Sequence, residues 1–259
     1  MPTVTDVVRL DVDDRGITWI TLARPDVRNA FDADLITQLG KILGRIDPAS
    51  RAVVLRSEGD AFCAGADLNW MRGMADFSLS ENVADSRALA QMFRALDELP
   101  MPLLARVQGA AIGGGCGLVA VADIAVASTE AVFAFTEVRL GIIPAVVSPY
   151  VVRKIGFAHA TALFTTGMRF DSRRAYEVGL VEAVEEPAKL DGKIDFYLDA
   201  IVAGGPHAVN AAKRLVREIE GRPVADVREK TVERIAGIRV SDEGQEGMRA
   251  FLERRKPKW

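Results

Sequence analysis

Two stretches of this sequence could stabilise negative charge on an oxygen, and one acidic residue could move a proton beside them. Phe62-Cys63-Ala64-Gly65-Ala66-Asp67-Leu68 combines small residues with a helix start. Small side chains let a ligand approach the backbone closely. The first turn of a helix leaves N–H groups unpaired and carries partial positive charge, which suits an oxyanion. The same residues also suit a tight strand-to-helix packing turn. Gly113-Gly114-Gly115-Cys116-Gly117 offers the same physics a second time. One N–H from each stretch, converging on one point, would hold a carbonyl oxygen as it gains charge. The dinucleotide-binding spacing G-x-G-x-x-G is not met, no Lys-Ser/Thr follows the glycines, and no G-x-S-x-G marks a nucleophilic serine. Phe135-Thr136-Glu137-Val138 places an acid directly after an apolar strand. Partial burial there raises a carboxyl pKa and suits it to proton transfer near neutral pH. An exposed glutamate at a strand end is the alternative.

Other residues are blander. His159 and His207 are isolated and each begins a helical stretch, so surface or capping roles are expected. Trp19 and Met92 read as core. Trp70, Met71 and Met74 suit either an acyl pocket or core packing. Arg254, Arg255, Lys256 and Lys258 form a basic terminus, a solvated face or a phosphate clamp. Cys63 and Cys116 make no C-x-x-C and have no histidine nearby, which speaks for buried thiols in a reducing compartment rather than a disulfide or metal site.

The elements that must position these groups alternate. Val7–Asp11 and Ile17–Leu22 predict a hairpin. Asp32 is a candidate N-cap for a helix carrying Leu35, Ile36, Leu39, Ile42, Leu43 and Ile46. Residues 52–55, 103–107, 124–127 and 132–135 read as short strands, and 81–99 as a helix closed by Pro100 and Pro102. Gly109–Gly117 reads as a glycine-rich turn leading into a helix that ends at Val121. After Pro144 the pattern is helical (149–155, 158–166, 172–178, 188–203), with a short apolar Leu180–Val184. Residues 206–219, 225–238 and 243–254 complete a helical tail. This predicts an α/β layered core over residues 1–203 and a helical part over 204–259, with the boundary at Gly204-Gly205-Pro206. No repeat or flexible linker is visible.

The chain has 259 residues, 49% hydrophobic and 27% charged, with a net charge of −3. That is enough chain to bury a core without staples. The weakly acidic balance disfavours a sequence-blind nucleic-acid binder. Met1–Leu10 lacks a basic segment followed by an apolar run, and residues 103–135 are broken by glycines and charges, so neither a signal peptide nor a membrane span is expected. The expected location is the cytoplasm.

Taken together, several motifs resemble the crotonase (enoyl-CoA hydratase/isomerase) superfamily over nearly the whole chain. They are Arg24-Pro25-Asp26-Val27-Arg28-Asn29-Ala30, the stretches 62–68, 108–116 and 133–144, Thr166-Gly167 through Gly179-Leu180-Val181, and the closing 248–255. The resemblance implies a spiral of ββα units with a C-terminal helical part that builds trimers, often paired into hexamers. It implies an acyl-CoA substrate, with coenzyme A entering only as part of the thioester and no tightly bound cofactor or metal. By the same resemblance Ala66 and Gly114 supply the two oxyanion N–H groups and Glu137 moves the proton. Ala64, Asp67 and Leu68 match the stretch that holds adenine and pantetheine, while Arg28 and Arg254 are phosphate candidates. Hydratases of this family hold a water between two glutamates. Here the first is replaced by Gly117, so Glu137 works alone or with another group, and a delta-isomerase with one glutamate or a non-catalytic CoA-ester or RNA-binding scaffold are alternatives. Ala145–Lys154, with 67–72 and 115–119, looks like the bacterial methylglutaconyl-CoA hydratase branch. That implies a substrate with a distal carboxylate, for which Ser148, Tyr150, Arg72 and Arg139 are available. Trp70, Met71, Gly117, Pro144, Ser148 and Tyr150 are then the expected pocket residues.

Overall fold

The computed structural model describes residues 7–74 and 76–259. The first six residues of the Met1–Leu10 segment lie outside the described residues. β1 (Val8–Val12) and β2 (Ile17–Leu22) form the expected antiparallel hairpin. Asp32 caps α1 (Ala33–Leu43) by accepting the Leu35 N–H at 2.8 Å, and Leu35, Ile36, Leu39, Ile42 and Leu43 turn inward. β3 (Ala52–Ser57) lies parallel to β2. It is followed by β4 (Ala61–Cys63), α2 (Leu68–Met74) and α3 (Leu79–Asp97). α3 starts two residues before the hydrophobic pattern suggested, because Ser78 and Glu81 form a capping box.

The same unit then repeats. β5 (Leu103–Val107) and β6 (Ala110–Ile112) precede α4 (Gly114–Val121). β7 (Ile124–Ser128) and β8 (Val132–Ala134) precede a short 3-10 turn at Glu137–Leu140 and α5 (Ser148–Thr166). In each unit the first strand joins the larger sheet and the second joins the smaller one. With β9 (Arg169–Asp171) and β10 (Ala183–Glu185), the six-stranded order is β1-β2-β3-β5-β7-β10 and the four-stranded order is β4-β6-β8-β9. This is a ββα spiral, and its helices fill the space between turns. Three strands escaped the sequence pattern. β6 lay inside the supposed glycine turn, β9 between two helices, and β10 at the end of a stretch read only as short and apolar; each has three residues, too few for alternation to register. Gly156, at φ 77°, breaks α5 into the two helical segments expected from sequence.

α6 (Ser172–Glu177) and α7 (Leu190–Ala203) close the core, and α8 (Pro206–Ile219), α9 (Val224–Val240) and α10 (Asp242–Leu252) form the helical tail. α8 contributes no fully buried residue and is anchored by charge instead. Lys213 reaches Asp123 at 2.6 Å and the Met101 carbonyl at 2.8 Å, while Arg217 pairs with Asp97 and Asp123.

Candidate active site

β4 and β6 are parallel neighbours, with Cys63 in register with Ala111. Three residues past these positions lie Ala66 and Gly114. Each is preceded by a glycine with positive φ, Gly65 at 92° and Gly113 at 54°. Both strands therefore end by turning their chains in a conformation that L side chains rarely adopt. At Gly65 a side chain would also be crowded, since a Cβ would lie 3.0 Å from the Ile112 carbonyl oxygen.

Backbone pairing decides which amides stay free. Phe31 N–H donates to the Gly65 carbonyl at 2.7 Å, and Asp67 N–H donates to the Phe31 carbonyl at 2.8 Å. This is a parallel bridge between Phe31 and Ala66. In such a bridge the polar backbone groups of the middle residue face away from the partner. The Ala66 N–H thus points away from Phe31 and donates to nothing among the described residues. In the second loop Gly113 N–H donates to the Ala134 carbonyl at 2.8 Å. Gly114 opens α4, and its N–H is likewise unpaired among the described residues. A side chain on Gly114 would have to displace the Phe31 ring, because a Cβ would lie 2.8 Å from its Cε2.

Glu137 follows β8 and starts the 3-10 turn. Its Oε1 lies 2.9 Å from where a Cβ of Gly113 would stand, which puts the carboxyl against the Gly113–Gly114 peptide. Oε2 is buried with no hydrogen-bond partner. Burial raises the Glu137 pKa, against a smaller opposing pull from its own backbone N–H. One free amide, that of Gly114, thus stands beside a carboxyl whose pKa burial raises, and a second, that of Ala66, is free on the parallel loop. That set can hold an enolate oxygen and exchange a proton at the neighbouring carbon.

Gly117, one turn further along α4, is enclosed. A Cβ there would lie 2.3 Å from Val147 Cγ1 and 2.9 Å from Phe93 Cζ. Phe93 in turn lies between the rings of Phe31 (6.2 Å) and Tyr150 (5.8 Å). An apolar plug of Val147 and Phe93 thus fills the space that a side chain at 117 would need.

The other candidates divide. Arg28 is exposed at φ 54°, and its carbonyl accepts the Ala64 N–H at 3.0 Å, so these two stand together. Asp67 is buried and caps α2 through the Asn69 and Trp70 amides at 2.8 and 3.2 Å, leaving Leu68 exposed beside it. Trp70 and Met71 are half-buried, and the Trp70 indole faces Asp85, whose pKa is raised by burial. Pro144 is buried. Ser148 spends its hydroxyl on the Ala145 carbonyl at 2.8 Å. Tyr150 packs under Arg153, which pairs with Asp97. Arg72 bonds to Asn69, and Arg139 is exposed. Arg254 lies exposed beyond α10, with no ion pair among the described residues. Cys63 and Cys116 are free and buried, the Cys63 thiol pushed up to about 12. Phe31, Phe93 and Val147 were not singled out from sequence; their only signal was membership of the apolar positions flanking the motifs.

A profile of the family described as enoyl-CoA hydratase/isomerase matches residues 13–259. The chain belongs to the enoyl-CoA hydratase/isomerase family. Its relatives include the enoyl-CoA hydratase EchA19 of Mycobacterium tuberculosis, 34% identical over 256 residues, covering 95% of this chain and 94% of that one. The short-chain-enoyl-CoA hydratase of Clostridium acetobutylicum is 30% identical over 248 residues, covering 93% and 92%. The crystal structure of an enoyl-CoA hydratase from Shewanella pealeana superposes with a TM-score of 0.93 at 38% identity, covering 97% and 95%. The spiral is therefore the crotonase fold. The expectation of an enzyme of the enoyl-CoA hydratase type accords with this family membership.

Proposed function

We propose that this enzyme reversibly hydrates a branched enoyl-CoA such as 3-methylglutaconyl-CoA. The observation that carries the reading is the raised-pKa carboxyl of Glu137 lying against Gly113, next to the free Gly114 amide, with the Ala66 amide free on the parallel loop. The thioester oxygen sits between the two amides. Ionised Glu137 takes a proton from water as the water oxygen adds to C3, and the C2–C3 π electrons move into the thioester to form the enolate. The carboxyl then delivers that proton to C2. Dehydration runs the same steps backward. An oxyanion donor is worth about 3–4 kcal/mol of barrier, so both amides matter. Coenzyme A enters as part of the substrate, with Arg28, Ala64, Asp67 and Leu68 along its path and Arg254 reaching a phosphate from a neighbouring copy.

Support for the branched acyl group comes from the Ala145–Lys154 segment and from the apolar wall of Val147 and Phe93, which suits a methyl rather than a charge near C3. Arg72 and Arg139, which form no ion pair among the described residues, are the cations available for a distal carboxylate, ahead of Tyr150 and of Ser148, whose hydroxyl donates to the Ala145 carbonyl. The plug at Gly117 favours a second reading, a delta-isomerase in which Glu137 carries one proton between C2 and C4. Incubation with 3-methylglutaconyl-CoA, crotonyl-CoA and a 3-enoyl-CoA separates these. Turnover of the last alone rejects hydration, and turnover of none leaves a binding scaffold.

We further propose that residues 204–259 build a homotrimer or dimer of trimers. Val224, Val232, Val240, Phe251 and Leu252 on α9 and α10 are all more than half exposed. Free thiols suit the cytoplasm. Among the described residues no helix is long and apolar enough to cross a membrane.

A further inference from the structure

Arg24 has no role in the chemistry described above, yet its side chain is held more firmly than a surface arginine. Its side chain is only 16% exposed. One nitrogen donates to the Ala30 carbonyl at 2.7 Å. Another lies 2.8 Å from Asp32 Oδ2 and 3.6 Å from Asp67 Oδ2. Each carboxylate uses its other oxygen on a helix: Asp32 on the Leu35 amide of α1, Asp67 on the Asn69 and Trp70 amides of α2. Arg24 thus grips the residues on both sides of Phe31 and the residue that follows Ala66. Its own backbone is fixed by Asn29, whose side-chain oxygen accepts the Arg24 N–H at 2.9 Å and whose amide donates to the Glu58 and Ala61 carbonyls.

Phe31 connects the two loops. Its N–H and carbonyl hold Gly65 and Asp67, and its ring abuts Gly114. Moving Phe31 would move one amide against the other. A planar fork with fixed donor directions suits such a brace, and a lysine would not reproduce it.

We propose that Arg24 is a positioning residue of the oxyanion site, acting through Ala30, Asp32 and Asp67 to hold Phe31 in register and so to aim the Ala66 amide at the oxygen that the Gly114 amide binds. The proposal rests on the reading of those two amides as oxyanion donors. Small misplacements of such groups cost about 100-fold in rate.

The test uses an aryl-conjugated enoyl-CoA, such as 4-dimethylaminocinnamoyl-CoA, whose absorption moves to the red when its carbonyl is polarised. Arg24→Lys is compared with the unaltered protein for that shift, for probe affinity, for kcat and KM, and for thermal stability. The expected result is a smaller red shift and a kcat lowered about 10- to 100-fold, with KM and probe affinity within about threefold. A variant that loses thermal stability but keeps the full shift and kcat overturns the proposal, since Arg24 would then be structural only. If Arg24→Lys does not fold, Asp32→Asn replaces it. Asparagine caps a helix as well as aspartate does but lacks the charge Arg24 pairs with, and the same direction of change is required. If the unaltered protein binds the probe with no red shift, the oxyanion reading itself fails. If its shift is present and the variants match it, only the Arg24 proposal fails.

Discussion

Glutamate introduced at position 117 would add a second carboxylate to α4, and the packing around Gly117 sets what this costs. The new Cβ would stand 2.3 Å from Val147 Cγ1 and 2.9 Å from both Val147 Cβ and Phe93 Cζ. Comfortable carbon contacts are about 3.5–4.0 Å, so the overlap exceeds about 1 Å on a residue that is itself buried. Overpacking of this kind costs about 1–3 kcal/mol, and an unpaired carboxylate in the same apolar space adds several more. Replacing a mid-helix glycine returns about 1 kcal/mol at most. Gly117→Glu should therefore lose at least about 3 kcal/mol, which for a chain of this size lowers Tm by roughly 6–12 °C. It should also gain no hydration of crotonyl-CoA, because the plug displaces the carboxylate from C3. Val147→Gly removes both of the Val147 contacts. In the Gly117→Glu/Val147→Gly pair the losses should be far from additive, with a favourable coupling of about 1–3 kcal/mol in urea denaturation. Hydration is followed by loss of the enoyl chromophore. A single Gly117→Glu variant as stable as the parent, or two losses that simply add, would show that Val147 does not occupy this space.

Glu137→Gln should lower hydration about 100- to 10,000-fold while leaving CoA-ester affinity nearly intact; unchanged turnover removes Glu137 from the chemistry. The same variant should be more stable than the parent at neutral pH. The Glu137 pKa is raised in the folded state, so the folded form binds the extra proton and stability falls as pH rises through that window, a loss the amide does not suffer. Denaturation at pH 7 and at pH 4 reads this directly, because the advantage should shrink at the lower pH. Catalysis needs the carboxylate, so the acid limb of kcat/KM should lie above the ordinary glutamate value of 4.5; a limb at that value contradicts the burial of the side chain. Lys154 is half-buried against the Ala122 and Asp123 carbonyls, with its pKa lowered to about 8 from 10.5, chiefly by loss of hydration. The unfolded chain binds more protons between those values, so the parent should gain up to about 3 kcal/mol over Lys154→Met between pH 8 and 10.5. A gap that stays constant over that range would place the ammonium in water.

How far the site could be read in advance depended on which atoms do the work. An acid after an apolar strand suits an exposed glutamate as well as a buried one, so Glu137 was legible chiefly through the resemblance of the motifs around it, whereas α1 was visible down to its capping aspartate. The two loops were visible as glycine patterns. What the patterns lacked was the reason for the glycines, which is tertiary at each position. Gly113 has Glu137 against it, Gly114 has the Phe31 ring, Gly115 has the Cys63 carbonyl, and Gly117 has Val147 and Phe93. No local periodicity reports a contact between residues thirty positions apart. The spiral was hidden for a similar reason. Consecutive strands such as β5 and β6 part company and join different sheets, and pairing with a distant strand leaves no mark on a three-residue segment.

The glycine run and the single carboxyl belong to one arrangement. α4 begins at the Gly114 amide proposed to bind the oxyanion, and its first turn is packed closely around positions 114, 115 and 117. Its far end is held by the Lys154 ammonium on the Ala122 carbonyl. A helix fixed at both ends and stripped on one side can present its N-terminal dipole to substrate, but it has no room to present an acid as well. Proton transfer must then come from a different unit of the spiral, and the turn after β8 supplies it by placing Glu137 against Gly113. Under this geometry the proton donor and the oxyanion donors reside on separate elements whose spacing is set by Gly113, so a side chain at 113 as small as alanine's should separate them. Gly113→Ala should therefore impair catalysis more than it impairs folding, with its Cβ 2.9 Å from Glu137 Oε1 and its φ at 54°. A Gly113→Ala protein with parental kcat would mean that the carboxyl and the Gly114 amide do not act on the same substrate atoms.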